Sequence, residues 1–438
     1  MQNIENTQKK SNMQKVALTA LAGTSIEWYD FFLYGAAAAL IFPTAFFGEM
    51  PPNTALLLSL LTFAAGFIAR PIGGIIFGHF GDKVGRKKTL ISALMLMGIS
   101  STLIGLLPTY AMIGVAAPIL LTTLRFAQGL AIGGQWGGAM LLVTESAPSD
   151  QRGYYGAFAQ AGAPIGVILA NLALIITSAL VSEEFFNTWG WRIPFLASAV
   201  LILISMYIQL NLEDTDAFKA LVDNKDAQSD ENIKKSPVVE AIRKYPKRIF
   251  LAAGAFLSVQ VTFYILIAFM LAYGVTSANM ARDDMLGAVL IASAIMVPVQ
   301  FIFSSYSDRH GRKGIFMSGA VLTGIWAFAI FPLVDTGNFY LIVLAITGGL
   351  VFLAMMYGPQ AAFFTELFST EVRYSGATLG YQFGAIVGGA FAPTIAVKLW
   401  TEFDIIWVSA YIALASLLTL LSVMALTETY QSDLNNTD

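Results

Sequence analysis

Cysteine is absent from the 438 residues, histidine occurs twice, and only 12% of the chain is Asp, Glu, Lys or Arg. Without thiols there are no disulfides, no thiol redox chemistry and no cysteine-ligated metal. Two histidines and no H-E-x-x-H leave little for zinc or haem, so neither a metal nor a cofactor is expected. The dipeptide Gly-Lys never occurs, which removes a Walker A phosphate loop and with it a built-in ATPase. Anything pumped must draw on a gradient or on energy from another chain. Soluble domains carry about a quarter charged residues, so a fraction this low excludes an ordinary cytosolic, nuclear or secreted protein. No basic stripe interleaves with polar or aromatic residues outside the apolar runs, which counts against nucleic acid as a partner.

What the chain has instead is apolar length. Hydrophobic residues make up 56% of it and the mean hydropathy is +0.68. Apolar stretches fall at about 14–43, 54–80, 89–108, 111–145, 153–181, 191–212, 248–278, 284–306, 314–333, 338–366, 374–399 and 405–427. Each suits a membrane span of about 20 residues. Lys9, Lys10 and Lys15 precede the first run, but its length, from Val16 to Phe42, exceeds a signal-peptide core and reads as a spanning helix. The long hydrophilic segment divides the spans six and six. The expected organisation is a bundle over 1–212, a linker over 213–247 and a second bundle over 248–438 with a short tail. The fold class is thus an all-α membrane protein of twelve transmembrane helices in two six-helix bundles. Twenty of the 25 Lys and Arg fall on the side that an even span count gives to both termini, which sets that side in the cytoplasm.

The halves repeat. Gly78-His-Phe-Gly-Asp82-Lys-Val-Gly85-Arg86-Lys87 has a partner in Ser304-Ser-Tyr-Ser-Asp308-Arg-His-Gly311-Arg312-Lys313. Thr144-Glu145 followed by Arg152 matches Thr365-Glu366 followed by Arg373. Duplicated bundles with a path between them are what alternating access requires. The first of these loops resembles the signature of the major facilitator superfamily, and Arg125-Phe-Ala-Gln128-Gly129 resembles its fourth-helix pattern. Glu27-Trp-Tyr-Asp30-Phe-Phe-Leu-Tyr34-Gly35, Gly66-Phe-Ile-Ala-Arg70-Pro71-Ile-Gly73-Gly74, Gly133-Gly134-Gln135-Trp136-Gly137-Gly138-Ala139 and Trp189-Gly-Trp191-Arg192-Ile-Pro194-Phe195 are similar to the bacterial metabolite:proton symporter branch. The likeness covers most of residues 20–400. That branch usually has Glu at the place of Gln135 and commonly His at that of Ser146; a Gln releases no proton. Ser304 replaces the leading Gly of the second loop. Osmosensing members carry a long C-terminal coiled coil, and about ten residues follow the last span here.

Four charges lie well inside spans: Glu27, Asp30, Arg70 and Arg125. A buried charge costs roughly 2.5–3.5 kcal/mol on insertion scales unless it is paired or wetted. Glu27, Asp30 and Tyr34 share a helical face by spacing. Their carboxyls are either proton carriers, with Asp30 the deeper, or fixed salt-bridge partners of Arg70 and Arg125. Arg125 suits a two-point clamp on a carboxylate or a charge-relay partner, and Arg70 either a ligand contact or a packing pair. Gln128, Gln135 and Trp136 line the fourth helix beside Arg125, and Gln160 and Asn171 the fifth. The C-terminal spans hold no core charge; Gln260, Tyr264, Tyr357 and Gln360 are their candidate substrate contacts. Gly78, Asp82, Gly85 and Arg86, with Asp308, Gly311 and Arg312, are read as gate loops whose aspartates cap helix ends and whose arginines pair with Glu145 and Glu366. Arg152 and Arg373 belong to the same set. The plainer reading of these loops is a positive-inside anchor. Glycines 129, 133, 134, 137 and 138, with 162 and 166, are packing faces.

These residues point to a secondary transporter rather than an enzyme: a small polar metabolite enters with protons through alternating access. The resemblance and the two arginines favour an organic acid, with proline- or betaine-type zwitterions second. An uncoupled facilitator, favoured by Gln135, and a non-transporting sensor are the alternatives. Substrate, protons and the lipid bilayer are the expected partners, and a monomer in a bacterial cytoplasmic membrane the expected state.

Overall fold

The computed structural model describes residues 2–84, 86–213, 237–369 and 372–430. Among them there is helix and no strand. Twelve spanning helices run in chain order: α1 Gln2–Leu40, α2 Pro52–Val84, α3 Arg86–Leu106, α4 Ala116–Ser146, α5 Arg152–Leu180, α6 Ile193–Glu213, α7 Pro246–Thr276, α8 Arg282–His310, α9 Arg312–Val334, α10 Phe339–Glu366, α11 Arg373–Glu402 and α12 Ile406–Ala425. Ten are long and apolar enough to cross a bilayer by length and composition. Of the other two, α1 carries Glu27 and Asp30 in its apolar stretch, and the apolar part of α3 is the shorter Ile91–Leu106. The helices form two six-membered bundles, as expected for a chain that must satisfy every backbone group within lipid.

Two of the helices are not α-helical throughout. α7 passes through a π-helical segment at Ile265–Phe269, and α11 through another at Ala385–Ala390 before its last piece, Ala392–Glu402. The apolar run expected over 111–145 is also divided. A short helix, Tyr110–Ile113, precedes α4 because Gly114 takes φ +59° between them.

The segments expected to be gate loops are helical. α8 extends to His310 and α9 begins at Arg312, so Gly311 alone breaks the helix, at φ +102°. Backbone in that region favours a residue without a Cβ. Asp308 therefore projects from a rigid last turn instead of a loop. α2 likewise reaches Val84 and α3 resumes at Arg86.

Within the first bundle α1 packs on α5, α2 on α4 and α3 on α6; α5 also runs against α8 of the second bundle. The α2–α4 seam is backbone-close. A Cβ on Gly133 would lie 1.9 Å from the Arg70 carbonyl, and one on Gly129 2.1 Å from that of Gly66. The α1–α5 seam is similar, with Thr24 and Trp28 against Gly162 and Gly166. Glycine packing thus brings Arg70 of α2 and Arg125 of α4 to one place.

Candidate functional site

Arg125 and Arg70 are buried to 0% and 1% exposure, and Asp30 to 1%. Arg125 donates from Nη1 to Gln128 Oε1 at 3.0 Å, and Gln128 Nε2 donates to Ser101 Oγ at 2.7 Å. Ser198 donates a short hydrogen bond to Asp30 Oδ1, and Ser101 also hydrogen-bonds the Asp30 carboxyl. Among the described residues neither arginine has a carboxylate oxygen within 4 Å, so the fixed salt bridge weighed from sequence is not formed here. Aromatic rings surround the cations instead. Arg125 Cζ sits 4.1 Å from the Phe31 centroid, 4.3 Å from Tyr34 and 4.6 Å from Phe63. Arg70 Cζ lies 4.4 Å from both Phe31 and Phe67 and 5.3 Å from Trp28. Desolvated contacts of this kind contribute about 2 kcal/mol each, of the same order as the burial cost of the charge.

Tyr34 bonds Thr62 at 2.7 Å. Tyr264, buried on α7, meets the Arg70 guanidinium and closes the cluster from the second bundle. Beside it a narrow cavity lies between the bundles, with room for about one water molecule. Trp28 and Phe32 line it from α1, Gln260 and Tyr264 from α7, Tyr357 from α10 and Tyr381 from α11. Gln260 Nε2 and both amide atoms of Gln360 are buried without partners. Glu27 is half-buried on α1.

Gln160 and Asn171 have other work. Gln160 Nε2 donates to the Tyr357 carbonyl and Asn171 Nδ2 to that of Leu286, each at 3.2 Å, so both tie α5 to the second bundle. Gln135 and Trp136 have side chains outside the described residues.

At the end of the molecule that holds the start of α5, Asp308 accepts from the backbone N–H of Gly153 and Tyr154, both at 2.8 Å. It thereby caps α5 from the other bundle, where a helix N-terminus attracts negative charge. Arg312 is wholly buried; its Nη1 donates to Asp308 at 2.6 Å and its Nη2 to Glu366 at 3.1 Å. Arg152 reaches Glu366 at 3.9 Å. Arg373, also buried, donates from Nε to the Phe368 carbonyl at 3.2 Å. Gly85 and the side-chain positions of Gly78, Asp82, Arg86 and Glu145 lie outside the described residues.

Several contributors carry no sequence signal. Glu428, past α12, accepts from the N–H of Arg312 and Lys313 at 2.9 and 3.0 Å, and Thr429 donates to Glu366 at 2.8 Å. Ser198 shares α6 with Ser205, and Ser101 stands between Ser100 and Thr102 on α3, so neither is marked out by its sequence. Phe31 was findable only as the neighbour of Asp30. At the opposite end Ser178 donates to Asp283 at 2.8 Å, and Arg282 donates to Asn187 at 3.2 Å.

Comparison with known proteins bears on what this arrangement is. The profile of the Major Facilitator Superfamily matches residues 20–379. An inner membrane metabolite transport protein of Escherichia coli, YhjE, is 39% identical over 97% of this chain and 96% of its own. The shikimate transporter of E. coli is 37% identical over 94% of this chain and 93% of its own. The proline/betaine transporter of the same organism is 33% identical over 91% and 80%. Among solved structures the proton:xylose symporter XylE superposes with a TM-score of 0.70 at 17% identity, covering 96% of this chain and 97% of that one. Twelve helices in two bundles, a narrow cavity between them and full-length relatives agree: the chain is a multi-pass membrane transporter and belongs to the major facilitator superfamily.

Proposed function

We propose that this transporter imports a small organic acid by proton symport through alternating access. The observation that carries the reading is the pair of buried guanidiniums beside one buried carboxyl, set behind Trp28 and Tyr264, which line the inter-bundle cavity. Each arginine keeps two N–H groups, Nε and Nη2, without an acceptor. A buried donor left unsatisfied costs about 1–3 kcal/mol, more when charged, and a solute carboxylate would remove that cost. The 37% identity to a shikimate transporter supports an acid; the 33% identity to a proline/betaine transporter keeps zwitterions as the rival class.

The charge balance gives the coupling. With Asp30 ionised the three buried groups sum to one positive charge; with Asp30 protonated they sum to two. Proton uptake therefore strengthens the attraction for an anion, and proton release weakens it. Ser198 and Ser101 hydrogen-bond the Asp30 carboxyl, which in this reading takes up and releases the coupling proton. Gln135 does not enter this scheme. In it Tyr264, Gln260, Tyr357 and Gln360 face the solute from the second bundle, and Gln128 fixes the Arg125 plane.

Asp308, Arg312, Glu366 and Arg152 act as the gate on the side of the termini, which the distribution of basic residues places in the cytoplasm. The bundles 1–212 and 248–438 rock about the solute as a monomer in a bacterial cytoplasmic membrane, with 213–247 as their linker.

The test is uptake into proteoliposomes with an imposed pH gradient, using shikimate, succinate and glycine betaine. Acid accumulation that collapses on adding a protonophore is expected, and Asp30→Asn should lose accumulation while retaining acid exchange. Accumulation indifferent to the protonophore would overturn symport, and accumulation of betaine alone would overturn the acid assignment.

A further inference from the structure

Phe31 is the residue whose ring meets both buried cations. Its centroid lies 4.1 Å from Arg125 Cζ and 4.4 Å from Arg70 Cζ. Phe63 and Phe67 pack on it, at 4.9 and 5.3 Å between centroids, and each also meets a guanidinium: Phe63 that of Arg125, Phe67 that of Arg70. Two like charges so near one ring repel strongly where little water screens them. The negative face of an aromatic ring attracts both. Phe31 offsets part of the repulsion without supplying an anion, whereas a carboxylate at the same place would neutralise the cations permanently.

An aromatic ring does not take the paired in-plane N–H groups of a guanidinium as a carboxylate does. Both arginines leave the same edge, Nε with Nη2, unpartnered among the described residues. That edge is a two-donor fork that matches a carboxylate. Gly66 makes room at one of the two: a Cβ there would stand 2.7 Å from Arg125 Nε.

We propose that Phe31 is a positioning residue for solute selection: its ring holds Arg70 and Arg125 so that both forks stay free of protein acceptors, and this favours anionic over zwitterionic solutes. The proposal rests on the acid reading above. An ammonium group would enter a site where two cations outnumber one carboxyl, itself already bonded to Ser198.

Two measurements test it. In the first, proton-driven uptake of shikimate and succinate is compared for the wild type, Phe31→Leu, Phe31→Met and Phe31→Tyr. Loss of the shared ring contacts should raise KM for the acids about tenfold or more, with kcat changed much less, and Phe31→Tyr should restore KM. Unchanged acid KM in the Leu and Met variants overturns the role of Phe31 and leaves the acid reading standing. If the wild type takes up glycine betaine and neither acid, the selection claim fails together with that reading.

The second measurement needs no solute. Phe31→Leu is introduced into the wild type and into Arg70→Met/Arg125→Met, and thermal unfolding is followed in detergent. The midpoint should fall clearly further in the wild type than in the arginine-free background, because only there does the ring face cations. Equal falls in both backgrounds would show a plain packing residue and overturn the proposal.

Discussion

At the scale of single residues, the site depends on atoms that stay clear of Arg125 as much as on those that touch it. Gly66→Ala would bring a methyl to 2.7 Å from Nε and 3.2 Å from Cζ. The arginine must then turn off its rings. Uptake should show a KM for acids raised about tenfold, the scale of a displaced charged contact of ~1.4 kcal/mol, measured in the same proteoliposomes. Gln128→Leu should act in the same direction by releasing Nη1 and removing the bond to Ser101. Asp30, Arg70 and Arg125 were legible in the sequence because a charge inside an apolar run has few harmless explanations. Phe31 and Ser198 were not. A phenylalanine among apolar residues looks the same whether it faces a lipid or a guanidinium, and a serine does not announce which carboxyl it holds.

At the scale of elements, the apolar runs marked out all twelve spans, since length and hydropathy are properties of a segment on its own. The π-helical segments of α7 and α11 escaped, because a widened turn is chosen by what packs against it. Both lie beside the cavity. A Cβ on Gly389, in the second, would stand 2.9 Å from Tyr264 Cε2 and 3.0 Å from Phe67 Cε1. Gly389→Ala should therefore push two site rings at a cost of about 1–3 kcal/mol, as overpacked cores do. The expected outcome is a lower unfolding temperature together with slowed turnover. The helical continuity through Asp308 was also hidden. The repeated motif reads as a loop by its charge and glycine, yet one positive-φ residue suffices to divide α8 from α9.

At the scale of the whole molecule, the bundles are held together at both ends in this conformation. Asp308 caps α5 at one end, while Ser178–Asp283 and Arg282–Asn187 join the bundles at the other. Alternating access needs these two sets to open in turn. Since the chain has no cysteine, Ser178→Cys/Asp283→Cys can be joined by a short thiol-reactive bridge without a background reaction. Bridging should abolish uptake, and a cleavable bridge should restore it when cut. Arg312→Ala should be more damaging to stability, by about 3–5 kcal/mol, because it leaves Glu366 buried without its main cation; Asp308→Asn, whose amide nitrogen cannot accept the second backbone N–H of α5, should cost less in thermal unfolding because the pair of Arg312 with Glu366 remains. The internal repeat marked the positions of Asp308, Arg312, Glu366 and Arg152, the residues proposed as the gate. Their burial was not legible, because helix ends in a membrane protein are ordinarily wet.

The segment just past α12 has a practical consequence. Glu428 clasps the start of α9, and Thr429 bonds the same Glu366 that receives Arg312 and Arg152. A fluorescent protein or affinity handle joined close behind Tyr430 would thus hang from the contacts proposed as the gate. Its linker length becomes an experimental variable: a short one should alter transport by tugging on the clasp, and a fluorophore placed there should report the gate's opening in real time.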